Sequence, residues 1–326
     1  MPSLRGGAAP RPCQPGRSGP SLDAVLRPMS SSVAPGLLFA LASATFYGLN
    51  IGYARLASLA GVSGSSLVVY RVLLMLALVA AAAAVFRSPL FVPPAERRVM
   101  GVLGIATAFV GLCYLSSVSF IPVAVAVVVF YTFPFLIVLL NPLVEGVPLT
   151  LPLLLIVALA LVGVVLVVGP AFEGLDWRGI ALALGASLAT ATQFFAAARA
   201  RRTSVMAKTF WVHVVVLPTA ILVGGLAGSL DSPATLALAP AAVAATIAGY
   251  VFGFVLQFMA LGRITAVVAG VVYCAEPVVA ALSSTVILDE PLAPLQLLGG
   301  AFVVGAIILN VVVESRRKAQ PIVPLD

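Results

Sequence analysis

Few side chains able to do chemistry interrupt the apolar runs of this sequence, and the costliest of them is Glu276. It stands, with Pro277 directly after it, in VVAGVVYCAEPVVAAL (267–282), within a stretch that is otherwise apolar or small from Ile264 to Leu288. At 1.5 Å per helical residue, its distance from either end of that stretch puts it near the middle of a bilayer. An ionised side chain there costs about 2.5–3.5 kcal/mol, so it must face protein or water and not lipid. Two roles suit it: a site for a coupling proton or a cationic substrate, or a structural hydrogen bond or ion pair between helices. Pro277 lacks an N–H and displaces the Tyr273 carbonyl, which leaves a polar backbone atom beside the acid. Pro134 does the same to Phe130, so a second helix break is expected there.

Arg71 is the basic residue well inside an apolar run. It either snorkels outward or faces a cavity, pairing with Glu276 or with an anionic group of a substrate. Asn50 and Gln193 fall at equivalent positions of two matching helices; each amide either binds cargo or ties helices together, the latter worth about 0.6 kcal/mol. Tyr70 and His213 form a second matched pair, with His213 read either as a satisfied polar group or as a proton relay. Tyr47, Tyr114, Tyr131, Gln257 and Tyr273 complete the cavity candidates, and Trp211 suits an interface. Gly48-x-x-x-Gly52 and Gly249-x-x-x-Gly253 are read as packing motifs, and Asp289-Glu290 as a turn before Pro291.

These residues need a scaffold, and the composition dictates its medium. The 326 residues are 62% hydrophobic and 9% charged, with mean hydropathy +1.17; soluble domains are about a quarter charged. Apolar runs between polar or Pro/Gly breaks predict ten spanning helices, about 36–55, 65–86, 99–117, 121–141, 151–169, 179–199, 209–229, 240–261, 265–287 and 294–313. The runs are continuous and not alternating, which argues against a β-barrel. Fifteen of the 18 Lys and Arg, including Lys208, fall on one side if the N-terminus is inside. That asymmetry predicts cytoplasmic termini and a multi-pass protein of the cell inner membrane. It also accounts for the net charge of +7 without nucleic acid. Residues 1–35, rich in Pro, Gly, Ser and Arg, are expected to be a disordered basic tail, with Met29 an alternative start to Met1; 314–326 are expected to be a cytoplasmic tail. Cys13, Cys113 and Cys274 are too scattered for a disulfide framework, and no cofactor or metal motif is present.

The sequence also repeats at an offset of 143 residues: Gly36 matches Gly179, Ile121 matches Ile264, Pro134 matches Pro277 and Pro148 matches Pro291. Five spans map onto five, giving repeats over 36–170 and 178–313. Because five is odd, the second copy must run through the membrane in the opposite sense, as in many secondary transporters. The segments LSSVSFIPVAVAVVVFYTFPFLIVLLNPLVEGVPL and FMALGRITAVVAGVVYCAEPVVAALSSTVILDEPLAPLQLLGGAFVVGAIIL resemble the EamA-type repeats of the drug/metabolite transporter superfamily. The first copy departs from the pattern, with Glu145-Gly146 where the second has Asp289-Glu290. The resemblance implies an all-α, ten-helix carrier of two inverted five-helix repeats, gradient-driven and not ATP-driven. Its cargo would be small metabolites, amino acids or drug-like compounds, moved by alternating access and, on our reading, outward. Coupling protons and the bilayer are the other implied partners, with the chain a monomer or homodimer. A channel-like facilitator is the alternative. An intramembrane enzyme is remote, since HExxH, GxSxG, GxxxxGK[ST] and paired cysteines are all absent.

Overall fold

The long apolar runs form helices because a lipid-exposed backbone must satisfy its N–H and C=O groups internally. In a computed structural model of the chain, residues 33–169 and 175–319 are described. They form twelve α-helices: α1 (Val33–Leu59), α2 (Gly64–Val85), α3 (Arg97–Ser117), α4 (Val123–Phe130), α5 (Phe133–Glu145), α6 (Leu151–Val168), α7 (Trp177–Arg199), α8 (Val205–Leu226), α9 (Pro240–Leu261), α10 (Ala266–Tyr273), α11 (Ala275–Ile287) and α12 (Pro294–Ala319). Taking α4–α5 and α10–α11 as single broken spans, ten segments are long and apolar enough to cross a membrane. Side-chain oxygens of Ser63, Asp176, Ser204 and Thr265 cap helix starts by accepting backbone N–H bonds, which compensates the unpaired first-turn donors. Gly146 and Gly169 end α5 and α6 at positive φ, where glycine carries no Cβ penalty.

Helix αn of the first half corresponds to αn+6 of the second, and the packing follows that exchange. α1 lies along α9 as α3 lies along α7, while α2 packs on α8 and α6 on α12. The reciprocity reaches single residues: Gly36 is pressed against Ile264, and Gly179 against Ile121, each contact being the other with the halves exchanged. The chain is thus an all-α bundle of two inverted repeats, related by a pseudo-two-fold axis. Both glycine pairs act as packing motifs. Gly48 and Gly52 admit Val279 and Ser283 of α11, and Gly249 and Gly253 admit the Phe46 carbonyl and the Tyr47 ring of α1. Side chains such as Leu143 and Val286, both 84% exposed, project outward, as lipid-facing positions require.

The two expected helix breaks are present and in register. α4 ends at Phe130 and α5 starts at Phe133; α10 ends at Tyr273 and α11 starts at Ala275. The broken span α10–α11 has the most buried window of the ten, at 61%, so it runs through the middle of the bundle.

Differences from expectation fall at element ends. α5 continues through Pro142 to Glu145, because the lost N–H bond does not outweigh the rest of the apolar turn. α8 begins at Val205, so Lys208 lies in its first turns and not in a loop; its Nζ donates to the Ala197 carbonyl at 3.4 Å. α12 runs on to Ala319, which makes the start of the expected C-terminal tail helical. The expectations for residues 1–32, Cys13 and Met29 among them, and for 320–326 lie outside the described residues.

Candidate functional site

Glu276 occupies the first turn of α11, where the unpaired N–H groups of a helix start favour negative charge. The break before it turns its carboxyl toward aromatic neighbours. Tyr47, Tyr114, Tyr131 and Tyr273 all lie within electrostatic reach of it. The Tyr131 hydroxyl is directed at the carboxyl, yet it is buried without a hydrogen bond of ordinary geometry. The equivalent of Glu276 in the first half is Phe133, which is buried in the core. The two breaks share their architecture, and the acid belongs to one of them.

Arg71 points into the bundle. Its guanidinium carbon lies 4.3 Å from the centre of the Tyr250 ring, a cation–π arrangement, and its Nε is buried without a hydrogen-bond partner. The snorkelling alternative is therefore not what this residue does. Pairing with Glu276, the other alternative, is not formed either; the ion pairs seen, Arg55–Glu290 at 3.0 Å and Arg199–Glu145 at 3.2 Å, are exposed. Tyr47 stands within reach of both Arg71 and Glu276, so a basic and an acidic side chain share one tyrosine in this centre.

Around them the rings are continuous. From Tyr114 the chain of ring contacts passes through Phe130, Tyr131 and Phe133 to Phe194, then through Tyr273, Tyr47 and Tyr250 to Phe254 and Phe258, with neighbouring centroids 4.9–6.5 Å apart. Polar groups fix the orientation of several rings. Tyr47 donates to Gln257 Oε1 at 2.9 Å. Tyr273 donates to Ser43 Oγ at 2.5 Å, and Ser43 donates to the Gly253 carbonyl at 2.5 Å. His213 Nδ1 lies 2.7 Å from the Thr209 carbonyl and Nε2 lies 2.8 Å from the Tyr250 hydroxyl. A carbonyl only accepts, so Nδ1 carries the proton and Nε2 accepts from Tyr250. His213 is thereby satisfied as a neutral imidazole and holds Tyr250 under Arg71.

The other sequence candidates make their hydrogen bonds to groups outside this cluster. Asn50 donates to the Thr246 carbonyl, and Gln193 donates to Thr107 Oγ1 at 3.0 Å. The two amides tie α1 to α9 and α7 to α3, the symmetric helix pairs. Tyr70 donates to the Asp231 carbonyl at 3.0 Å, outside the centre. Trp211 donates to the Leu90 carbonyl at 2.8 Å, near a helix end. Asp289 has φ +55, as a turn residue would. Cys113 and Cys274 are free thiols. Sequence reasoning missed Ser43 and Phe194, because a small hydroxyl and a phenyl ring in apolar helices carry no distinguishing signal. The symmetry mates of Ser43 and Tyr273, Ala186 and Phe130, have no hydroxyl, so the repeat could not point to them.

Among the described residues, ten segments able to span a membrane lie in two inverted halves, each half with a mid-span break, and a charged aromatic centre sits between them, which defines a polytopic membrane protein. The chain belongs to the EamA-like transporter family, whose pattern it matches twice, over residues 34–169 and 177–312. No curated protein matches the sequence. A crystal structure of a protein aligns with TM-score 0.68 and 23% identity over 89% of this chain and 100% of its own; at that identity the likeness shows the fold alone.

Proposed function

We propose that this chain is a gradient-driven secondary transporter that exports small zwitterionic metabolites, amino acids in particular, across the inner membrane. One observation carries the reading: Arg71 and Glu276 stand unpaired to each other in one aromatic centre beside a helix break. A buried charge without a partner is costly, and a ligand bearing both charges relieves two such costs at once. In this reading Arg71 takes the substrate carboxylate and Glu276 the ammonium group, while Tyr47, Tyr250 and Tyr273 embrace the apolar body. Glu276 exchanges its proton for the ammonium group, which couples export to proton entry. The Lys and Arg asymmetry supports both termini being cytoplasmic.

The test is counterflow in proteoliposomes with a panel of amino acids, amines and carboxylates, with and without a pH gradient. Saturable counterflow of zwitterions, weaker for compounds lacking either charge, is expected. Flux that rises linearly without counterflow would make the protein a pore, and transport indifferent to the substrate carboxylate would remove Arg71 from recognition.

A further inference from the structure

Two carboxylates outside the central site hold the two halves together at opposite ends of the bundle. At the end where α2 begins, the Ser63 N–H donates to Asp231 Oδ2 at 2.7 Å, and the Asp231 N–H donates to Ser66 Oγ at 2.6 Å. The Ser63 hydroxyl donates to the Ser229 carbonyl at 2.6 Å, and the Ser229 hydroxyl donates to Ser65 Oγ at 2.9 Å. At the opposite end, where α8 begins, Glu96 receives the Arg202 N–H on Oε1 at 2.8 Å. Its Oε2 receives the Thr203 N–H at 2.8 Å and the Thr203 hydroxyl at 2.6 Å.

These two clusters are the same device in exchanged halves. In each, a carboxylate of the longer loop captures backbone N–H of the short loop: Glu96, between α2 and α3, takes two before α8, and Asp231, between α8 and α9, takes one before α2. The captured loop ends in the serine that caps the next helix, Ser63 in one case and Ser204 in the other. Asp231 and Glu96 are not equivalent at the offset of 143, since 231 corresponds to 88 and 96 to 239. The loops correspond and the positions do not. Each cluster joins a first-half loop to a second-half loop, and together they pin both ends of the antiparallel pair α2–α8, which packs across the pseudo-two-fold axis.

We propose that Asp231 and Glu96 are the gate-positioning residues of the transport cycle, each latching the two halves on its own face of the membrane. This rests on the transporter reading above. Rocking two halves about a midplane site must part them at one face while they stay joined at the other. The two clusters, with the exposed Arg55–Glu290 and Arg199–Glu145 pairs beside them, are contacts between halves at the rims that must break in alternation. Both are made here, so this structure is closed at both latches. Losing the charge-assisted bonds of one latch shifts the open population at that face roughly tenfold.

Two spin-label pairs in purified protein without substrate read this out, in a background lacking the native cysteines. One pair, Ala60→Cys with Ala234→Cys, spans the Asp231 face; the other, Ala95→Cys with Arg201→Cys, spans the Glu96 face. Asp231→Ala is expected to add a longer-distance population, enriched about tenfold, to the first pair and leave the second unchanged. Glu96→Ala should do the converse. Asp231→Asn and Glu96→Gln preserve shape, so they should give the same face-selective change, smaller, in fully folded protein. Unchanged distances in all four variants would overturn the proposal. So would widening at both faces together, which is what general loosening of a structural tie produces. The distances need no cargo, so a protein that transports nothing yet opens one face at a time would sink the transporter reading and leave the latches standing.

Discussion

Glu276 and Phe133 hold the same place in two inverted halves, and the difference between them is where function is most economically tested. Glu276→Gln keeps the size and hydrogen bonding of the side chain but takes up no proton. The expected result is loss of the pH-gradient dependence of flux with retained protein level; pH-dependent transport equal to the parent would remove Glu276 from coupling. Arg71→Gln should lower the apparent affinity for carboxylate-bearing cargo by roughly tenfold or more, the value of one lost charge-assisted bond, measured as the KM of counterflow. Asn50→Leu makes the opposite case. Its amide is spent on the Thr246 carbonyl, so stability should fall by only about 0.6 kcal/mol while the substrate dependence of flux stays put. Asp231 carries a pH dependence of its own. The Ser63 N–H donating to it holds its carboxyl below the usual range. Its folded value is depressed, so its contribution is present above the ordinary value of about 3.9 and is lost as pH falls through the lower folded value. The Ala60–Ala234 label distance should therefore stay short from neutral pH down to about 4 and lengthen only below it.

At the scale of elements, close approach of backbones does what side-chain interdigitation does in water-soluble cores. α6 and α12 cross where a Cβ on Gly163 would lie 2.7 Å from the Gly299 carbonyl, and one on Gly299 would lie 2.6 Å from the Gly163 carbonyl. Backbone atoms cannot swing aside, so Gly299→Ala is expected to cost about 1–3 kcal/mol. Gly305, on the same helix, has nothing within 4 Å of its would-be Cβ; Gly305→Ala should be neutral or stabilising by up to about 1 kcal/mol. A thermal unfolding series in detergent separates the two, and equal shifts would show that the crossing is not set by glycine. The broken spans belong to this scale as well. Pro134 and Pro277 are visible in the sequence at one fixed offset, and the helices part where that offset says they should.

Over the whole molecule, two five-helix repeats run in opposite senses on one scaffold, yet single sites have no twin. Symmetry exchanges Ala186 with Ser43, Phe130 with Tyr273 and Phe133 with Glu276, so the halves share a scaffold while the centre is unequal. The same exchange applies to the rims, where corresponding loops carry Glu96 and Asp231 at non-corresponding positions. The sequence by itself determined the medium, the ten spans, the repeat, its inversion and both helix breaks, because each is written in local composition or in a fixed spacing. It also singled out Glu276 and Arg71, since a charge in an apolar run is costly wherever it ends up. Only the tertiary structure decided that these two do not pair and both reach Tyr47, that Asn50 and Gln193 bond across the symmetric helix pairs, and that His213 serves Tyr250. It alone brought Glu96 and Asp231 onto the loops they hold. Those outcomes depend on which faces of distant helices meet, and in helices apolar on nearly every side no hydrophobic stripe marks the inward face.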